Sequence, residues 1–106
     1  MKINYYYKDI KLGTLTYKQH TYIYVSDLEN EAIALQKHPL MKFYTLANSH
    51  KNKSQTLFKE FTEFLEATNR KDIIERAKIK EKDSAFTKLY KFAKLNQDTS
   101  EFYIKA

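Results

Sequence analysis

The chain has 106 residues and a mass of 12.7 kDa, one domain's worth of sequence, so residues 1–106 are read as a single domain. It carries 19 Lys plus Arg against 13 Asp plus Glu, a formal charge of +6, with no cysteine, one glycine and one proline. These counts exclude disulfides, thiol catalysis and thiolate metal sites. They also exclude phosphate-cradling loops and dinucleotide fingerprints, which need several glycines for close backbone approach.

Residues 2–7 and 10–17 are rich in β-formers and flank the polar pair Lys8-Asp9, which predicts a hairpin. Ile10, Leu12, Leu15 and Tyr17 alternate imperfectly, and Gly13 stands where the phase slips, as at a bulge. Lys18-Gln19-His20 reads as a turn. Residues 21–25 read as a third strand, with Tyr22 and Tyr24 on one face and Ile23 and Val25 on the other. Ser26-Asp27 is set to cap a short helical stretch through about Leu35, which His38-Pro39 ends. Residues 40–46 read as a short extended segment and residues 48–53 as a polar loop.

Ser54 is then an N-cap candidate for a helix whose Leu57, Phe58, Phe61 and Leu65 share one face. Asn69 is a cap candidate for a second helix carrying Ile73, Ile74 and Ala77. Asp83 or Ser84 opens a third with Phe86, Leu89, Tyr90 and Ala93. Residues 101–105 form a last strand. The predicted class is α+β: a small N-terminal antiparallel meander packed against about three α-helices, with a short C-terminal strand returning to the sheet.

No apolar run is long enough to span a bilayer. The opening Met-Lys-Ile-Asn-Tyr-Tyr-Tyr has neither an apolar h-region nor a small-residue cleavage site. A cytoplasmic, soluble protein without membrane partners is expected.

Residues able to carry chemistry are scattered. His20, His38 and His50 form no HExxH and no i, i+4 pair, so no metal site is expected. Glu60, Glu63, Glu66, Asp72, Glu75 and Glu81 interleave with Lys59, Arg70, Lys71 and Arg76, the pattern of a solvated helix face. A Glu60/Glu63 acid–base pair would need a cleft and a raised pKa. The serines fall at caps and loops, and none lies in a nucleophile elbow. Neither catalysis nor a cofactor is expected.

The charges are less evenly spread. No acid occurs between Glu31 and Glu60, while Lys37, Lys42, Lys51, Lys53 and Lys59 stand there beside His38 and His50, with Phe43 and Tyr44 between them. This stretch reads either as a phosphate-tracking patch with stacking rings or as a lysine-rich surface around a loop. It contains no arginine, the residue best suited to bidentate base contacts, so direct DNA contact is expected to be weak. Six tyrosines lie in the first 24 residues (Tyr5, Tyr6, Tyr7, Tyr17, Tyr22 and Tyr24). They are either a recognition platform or amphipathic strand formers.

The order of these pieces resembles the first N-terminal subdomain of HipA-type kinases. Residues 9–17, Asp-Ile-Lys-Leu-Gly-Thr-Leu-Thr-Tyr, are similar to that family's "VGxLT" opening strand pair. His20-Thr21-Tyr22-Ile23-Tyr24 followed by Asp27-Leu28 is similar to its "hxFxY…WL" segment, and His38-Pro39-Leu40 stands where it has "PLSxxLPL". Residues 57–65, Leu-Phe-Lys-Glu-Phe-Thr-Glu-Phe-Leu, resemble its "VFxxFFxNLLP" helix, and Asp72-Ile73-Ile74-Glu75-Arg76 its following "xxRxxIxxR" helix. Asp83, Phe86, Leu89, Asp98 and Phe102 to Ile104 follow its "DxFxLLxxxGxDxxGAlxl" ending. Departures fall at Glu66 to Arg70, where the family continues Pro-[Asp/Glu]-Gly, and at Asn96-Gln97 and Ser100-Glu101, where it has glycines.

Nothing in the chain resembles the kinase core itself. The resemblance therefore implies a HipS-like, stand-alone copy of the subdomain. Its partners would be a HipT-like Ser/Thr kinase, which it restrains, and a HipB-like helix-turn-helix DNA-binding protein, in a three-component toxin–antitoxin assembly. The helix spacing leaves Phe64 off the stripe of Leu57, Phe58, Phe61 and Leu65. Phe64 with Glu66, Thr68, Asn69 and Arg70 is thus the candidate kinase interface, a projecting tip. The alternative is that Phe64 packs against the second helix at Ile73.

Overall fold

The structure, a computed structural model, describes residues 1–38, 50–95 and 101–106. Strands β1 (Ile3–Tyr7), β2 (Ile10–Lys18) and β3 (Thr21–Ser26) form the expected meander. Helix α1 (Leu28–Lys37), strand β4 (Lys51–Ser54), helices α2 (Lys59–Ala67), α3 (Lys71–Ala77) and α4 (Ala85–Ala93), and strand β5 (Phe102–Lys105) follow. The strands make one antiparallel sheet in the order β4-β3-β2-β1-β5. The last strand does return to the sheet, and the class is α+β as the pattern predicts.

Two tight turns join the meander. Tyr7 pairs with Ile10 across Lys8-Asp9, and Lys18 pairs with Thr21 across Gln19-His20. Gln19 and His20 both have positive φ, 53° and 62°, the requirement of a type I′ hairpin turn, here met without glycine or asparagine. The bulge falls beside Gly13: Tyr5 faces Gly13 but Tyr6 faces Lys11, so Leu12 is the extra residue. Both Leu12 and Gly13 are buried, which is why the apolar alternation slips there.

One face of the sheet carries the helices. Ile3, Tyr5, Tyr7, Leu12, Leu15, Tyr22 and Tyr24 meet Ala34 of α1, Phe61 of α2, and Phe86, Leu89 and Ala93 of α4. Aromatic rings form much of this layer. Tyr5 lies 5.1 Å from Phe61 and 5.8 Å from Phe102, Tyr24 lies 5.9 Å from Phe61, and Tyr17 stacks on Phe86 at 5.9 Å. Offset and edge-on rings at these distances contribute beyond their burial. Most of the N-terminal tyrosines are therefore core strand formers; of the six, only Tyr6 points to the opposite face of the sheet.

The caps decide where helices start. The Asp27 carboxylate accepts from Asn30 N–H at 3.0 Å, and Asn30 Nδ2 donates to Lys11 O at 3.0 Å, which ties α1 to β2. Ser84 caps α4 by accepting from Thr87 N–H at 3.2 Å. Asp83 instead accepts from Lys80 N–H at 2.8 Å and Lys91 Nζ at 2.6 Å.

Three expectations are corrected. Ser54 caps no helix: it ends β4, its hydroxyl takes Thr56 N–H at 3.0 Å, and α2 begins after extended Phe58. Asn69 is not the cap of α3, which starts after Arg70 without a side-chain cap. The expected polar loop at residues 48–53 ends in strand β4, which pairs with β3. Its sequence, Lys-Asn-Lys-Ser, has no apolar residue to mark an alternation, and charged edge strands of this kind resist further pairing. The extended segment expected at residues 40–46 lies outside the described residues.

Candidate interaction surfaces

The α2–α3 corner divides the expected tip in two. Phe64 does not project. It is partly buried, with its ring 6.3 Å from Tyr5 of the sheet and 6.3 Å from Phe92 of α4. Position 64 adds a second apolar row to α2 because two neighbours, the sheet and α4, have to be met, and a single-stripe reading does not anticipate that. Thr68 is 1 % exposed, and its hydroxyl donates to Leu65 O at 2.5 Å, closing the helix. Glu66, Asn69 and Arg70 are exposed, and Arg70 is engaged by Asp72 through Nε at 3.3 Å and Nη2 at 2.9 Å. The apolar group presented at this corner is Ile74, 37 % exposed. It borders a concavity of about 230 Å³ with Thr68, Asn69, Ile79, Lys80 and Lys88.

The described lysines of the basic stretch stand on three different elements. Lys37 ends α1 beside His38, whose ring meets Tyr7 edge-on at 4.7 Å on the helix side. Lys59 begins α2, and Lys42 lies outside the described residues. Among the described residues, Lys51 and Lys53 share one element, β4. They alternate with Asn52, which faces buried Tyr24, so both lysines belong to the opposite side of the sheet.

That opposite side can be read row by row from the register. Lys53, Ile23 and Thr16 form one row; Lys51, Val25, Thr14, Asn4 and Lys105 form the next; Lys11, Tyr6 and Tyr103 form the third. These rows contain four lysines and no acid, and none of the described helices packs on them. Tyr6 and Tyr103 stack with centroids 5.2 Å apart and planes 2° from parallel. Lys105 Nζ sits 5.8 Å and 5.3 Å from the two ring centres. Tyr103 is buried and its hydroxyl donates to Lys8 O, so the pair is anchored from below. At the margin, Lys11, Thr14, Val25, Leu28, Glu29 and His50 border a concavity of about 400 Å³.

Two carboxylates lie inside, and one of them, Glu60, is read from the sequence as part of a solvated helix face. Glu31 and Glu60 are 4 % and 8 % exposed, and Glu31 Oε1 with both Glu60 oxygens has no hydrogen-bond partner among the described residues. Burial raises the Glu31 pKa, opposed by a hydrogen bond from Ser26 and assisted by Asp27. Burial first, and then Glu31, likewise raise the Tyr24 phenol. Glu63 is exposed, so it and Glu60 form no cleft pair. The sequence signal for these burials is the helical phase of Glu31 with Ala34 (i, i+3) and of Glu60 with Phe64 (i, i+4). Among the described residues no group of three His, Asp or Glu could hold a metal ion, and no helix is long and apolar enough to cross a membrane.

No protein-family model, curated protein or solved structure matches this chain.

Proposed function

We propose that this chain is a non-catalytic subunit that binds a HipT-like Ser/Thr kinase and restrains it, in a cytoplasmic assembly that also holds a HipB-like DNA-binding protein. The observation that supports this reading is the coincidence of the resembling segments with structural elements. Residues 9–17 supply the first turn and most of β2, and residues 20–24 most of β3. Residues 57–65 run into α2, residues 72–76 lie within α3, and Phe102 to Ile104 lie within β5. Strand-like segments of the family thus fall on strands, and helix-like segments on helices.

The docking element in this reading is the α2–α3 corner, with exposed Asn69, Arg70 and Ile74 in place of Phe64. An apolar group beside an arginine is the composition of a binding hot spot. Inhibition then follows from blocking lobe closure or substrate access.

Calorimetric titration of the chain into a truncated kinase encoded beside it, together with an autophosphorylation assay, tests the reading. Saturable binding with falling phosphorylation is expected. Ile74→Asp combined with Arg70→Glu is expected to weaken binding by roughly 2 kcal/mol or more while the fold survives. Absence of binding sinks the reading. Full affinity in the folded double variant moves the docking face elsewhere.

A further inference from the structure

We infer that helix α1 is a detachable element, able to leave the sheet while the rest of the fold persists, and that the proton on Glu31 governs its release. This device lies apart from the α2–α3 corner and does not depend on the kinase reading.

The helix is inside out. Its buried side chains are Glu31 and Ala34, while Leu28, Ile33 and Leu35 are 51 %, 42 % and 40 % exposed. Releasing a helix costs chiefly the apolar surface that it returns to water, and here the large aliphatic residues face water already. Among the described elements α1 packs mainly on β2. Its first turn is tied down by Asp27 N–H, which donates to Leu12 O at 2.8 Å, and by Asn30 Nδ2, which donates to Lys11 O at 3.0 Å. At its C-cap the His38 ring meets Tyr7 edge-on at 4.7 Å. Between these two ends the helix is held by one methyl group and one carboxyl group. A helix of 10 residues is marginal once it stands alone, so release and melting of α1 coincide.

The carboxyl group is the weak point. Glu31 is almost fully buried, and its Oε1 has no hydrogen-bond partner among the described residues. The groups that face it are Asp27 of its own cap and Ser26 and Tyr24 of β3, and Glu60 of α2 acts on the same Tyr24 phenol. Ser26 favours the charged form through a hydrogen bond, whereas burial and Asp27 oppose it. No described cation offsets them. Lys11, Lys51 and Lys53 belong to the helix-free side of the sheet, and Lys37 is exposed at the far end of the helix.

The folded carboxyl is therefore raised above its ordinary 4.5, and the docked helix holds the proton more tightly than the released one. Docking is strongest while Glu31 is protonated and weakens as pH rises through the folded value. An ionised Glu31 regains its hydration by leaving the sheet, which is the direction of release.

The test is native-state hydrogen exchange of the full chain, followed amide by amide in low urea at about pH 5 and about pH 7.5. The amides of residues 31–38 close the turns of α1. Corrected for intrinsic rates, they are expected to be at least about tenfold less protected than those of β1 and β2, with a smaller dependence on urea. Their protection should fall about threefold or more from the lower pH to the higher. In Glu31→Gln the protection of α1 at the higher pH should rise and its pH dependence should vanish. The comparison of α1 with the sheet in the parent chain stands whether or not that variant folds.

Equal protection and equal urea dependence for α1 and the sheet would mean that the helix opens only with the whole fold, and overturn the inference. So does α1 protection that is the same at both pH values. A pH dependence that persists in Glu31→Gln overturns the choice of Glu31 and assigns the effect to His38, whose positive form favours a helix C-terminus.

Discussion

The hydroxyl and ring tip of Tyr24 occupy the space that a side chain at position 13 would need. A Cβ on Gly13 would fall on that ring and come within 2.6 Å of Val25 O. Gly13 has no positive φ, so the glycine is required by this contact rather than by its backbone conformation. Tyr24 is 1 % exposed and packs against Tyr5 and Phe61, and cannot yield without opening the centre of the core.

Gly13→Ala is therefore expected to destabilise the fold by about 1–3 kcal/mol, the usual cost of overpacking. Urea unfolding measures it; a change below about 0.5 kcal/mol would mean that the β2 bulge absorbs the methyl group.

Glu31 gives stability an acid-favouring component. Its folded pKa is raised by burial above the ordinary 4.5. The contribution is complete below the unfolded pKa and is lost as pH rises through the folded value. Near neutrality the buried carboxylate is a cost. Glu31→Gln should raise the melting temperature at pH 7, and the gain should shrink as pH is lowered towards 4. An equal gain at both values would assign the effect to packing.

Phe64→Ala should destabilise the fold by about 2–4 kcal/mol, because the ring lies between Tyr5 and Phe92. Thermal melting decides the matter: a melting temperature equal to the parent's would return Phe64 to the surface.

The Gln19-His20 turn is open to improvement. Both residues occupy the left-handed region, which asparagine and glycine enter at lower cost. Gln19→Asn with His20→Gly is expected to stabilise by roughly 1 kcal/mol, read from the urea midpoint at constant m-value.

Elements that present an apolar face to the helix layer were readable from sequence. Tyr22 and Tyr24 alternate cleanly, Asp27 and Ser84 cap the helices expected of them, and the slipped phase at Gly13 marks the bulge. What escaped has a common cause. Strand β4 buries almost nothing, so Lys-Asn-Lys-Ser carries no hydrophobic period. Phe64 is buried by Tyr5 and Phe92, both distant in sequence, and single-helix periodicity cannot report a second neighbour. The lysine-rich stretch is divided by topology: β4 sends Lys51 and Lys53 to one side of the sheet, while Lys37 and Lys59 stand on helices. The basic face that results draws Lys11 and Lys105 from remote strands, so only the register could reveal it.

The pairing of β1 with β5 brings Tyr103 to within hydrogen-bonding reach of Lys8, 95 residues earlier. Bringing such distant segments together carries an entropic penalty about 2 kcal/mol above that of a ten-residue loop. The β1–β2–β3 meander needs only two tight turns and can assemble on local contacts, so order in this chain should grow outward from the meander. Until β5 arrives, β1 is an open edge bearing the Tyr6 ring without its stacking partner, and such an edge can pair with another chain. The last strand thus serves as a clasp: it shields the N-terminal strand from other copies of the protein, and its loss should appear first as aggregation at high protein concentration rather than as a missing helix.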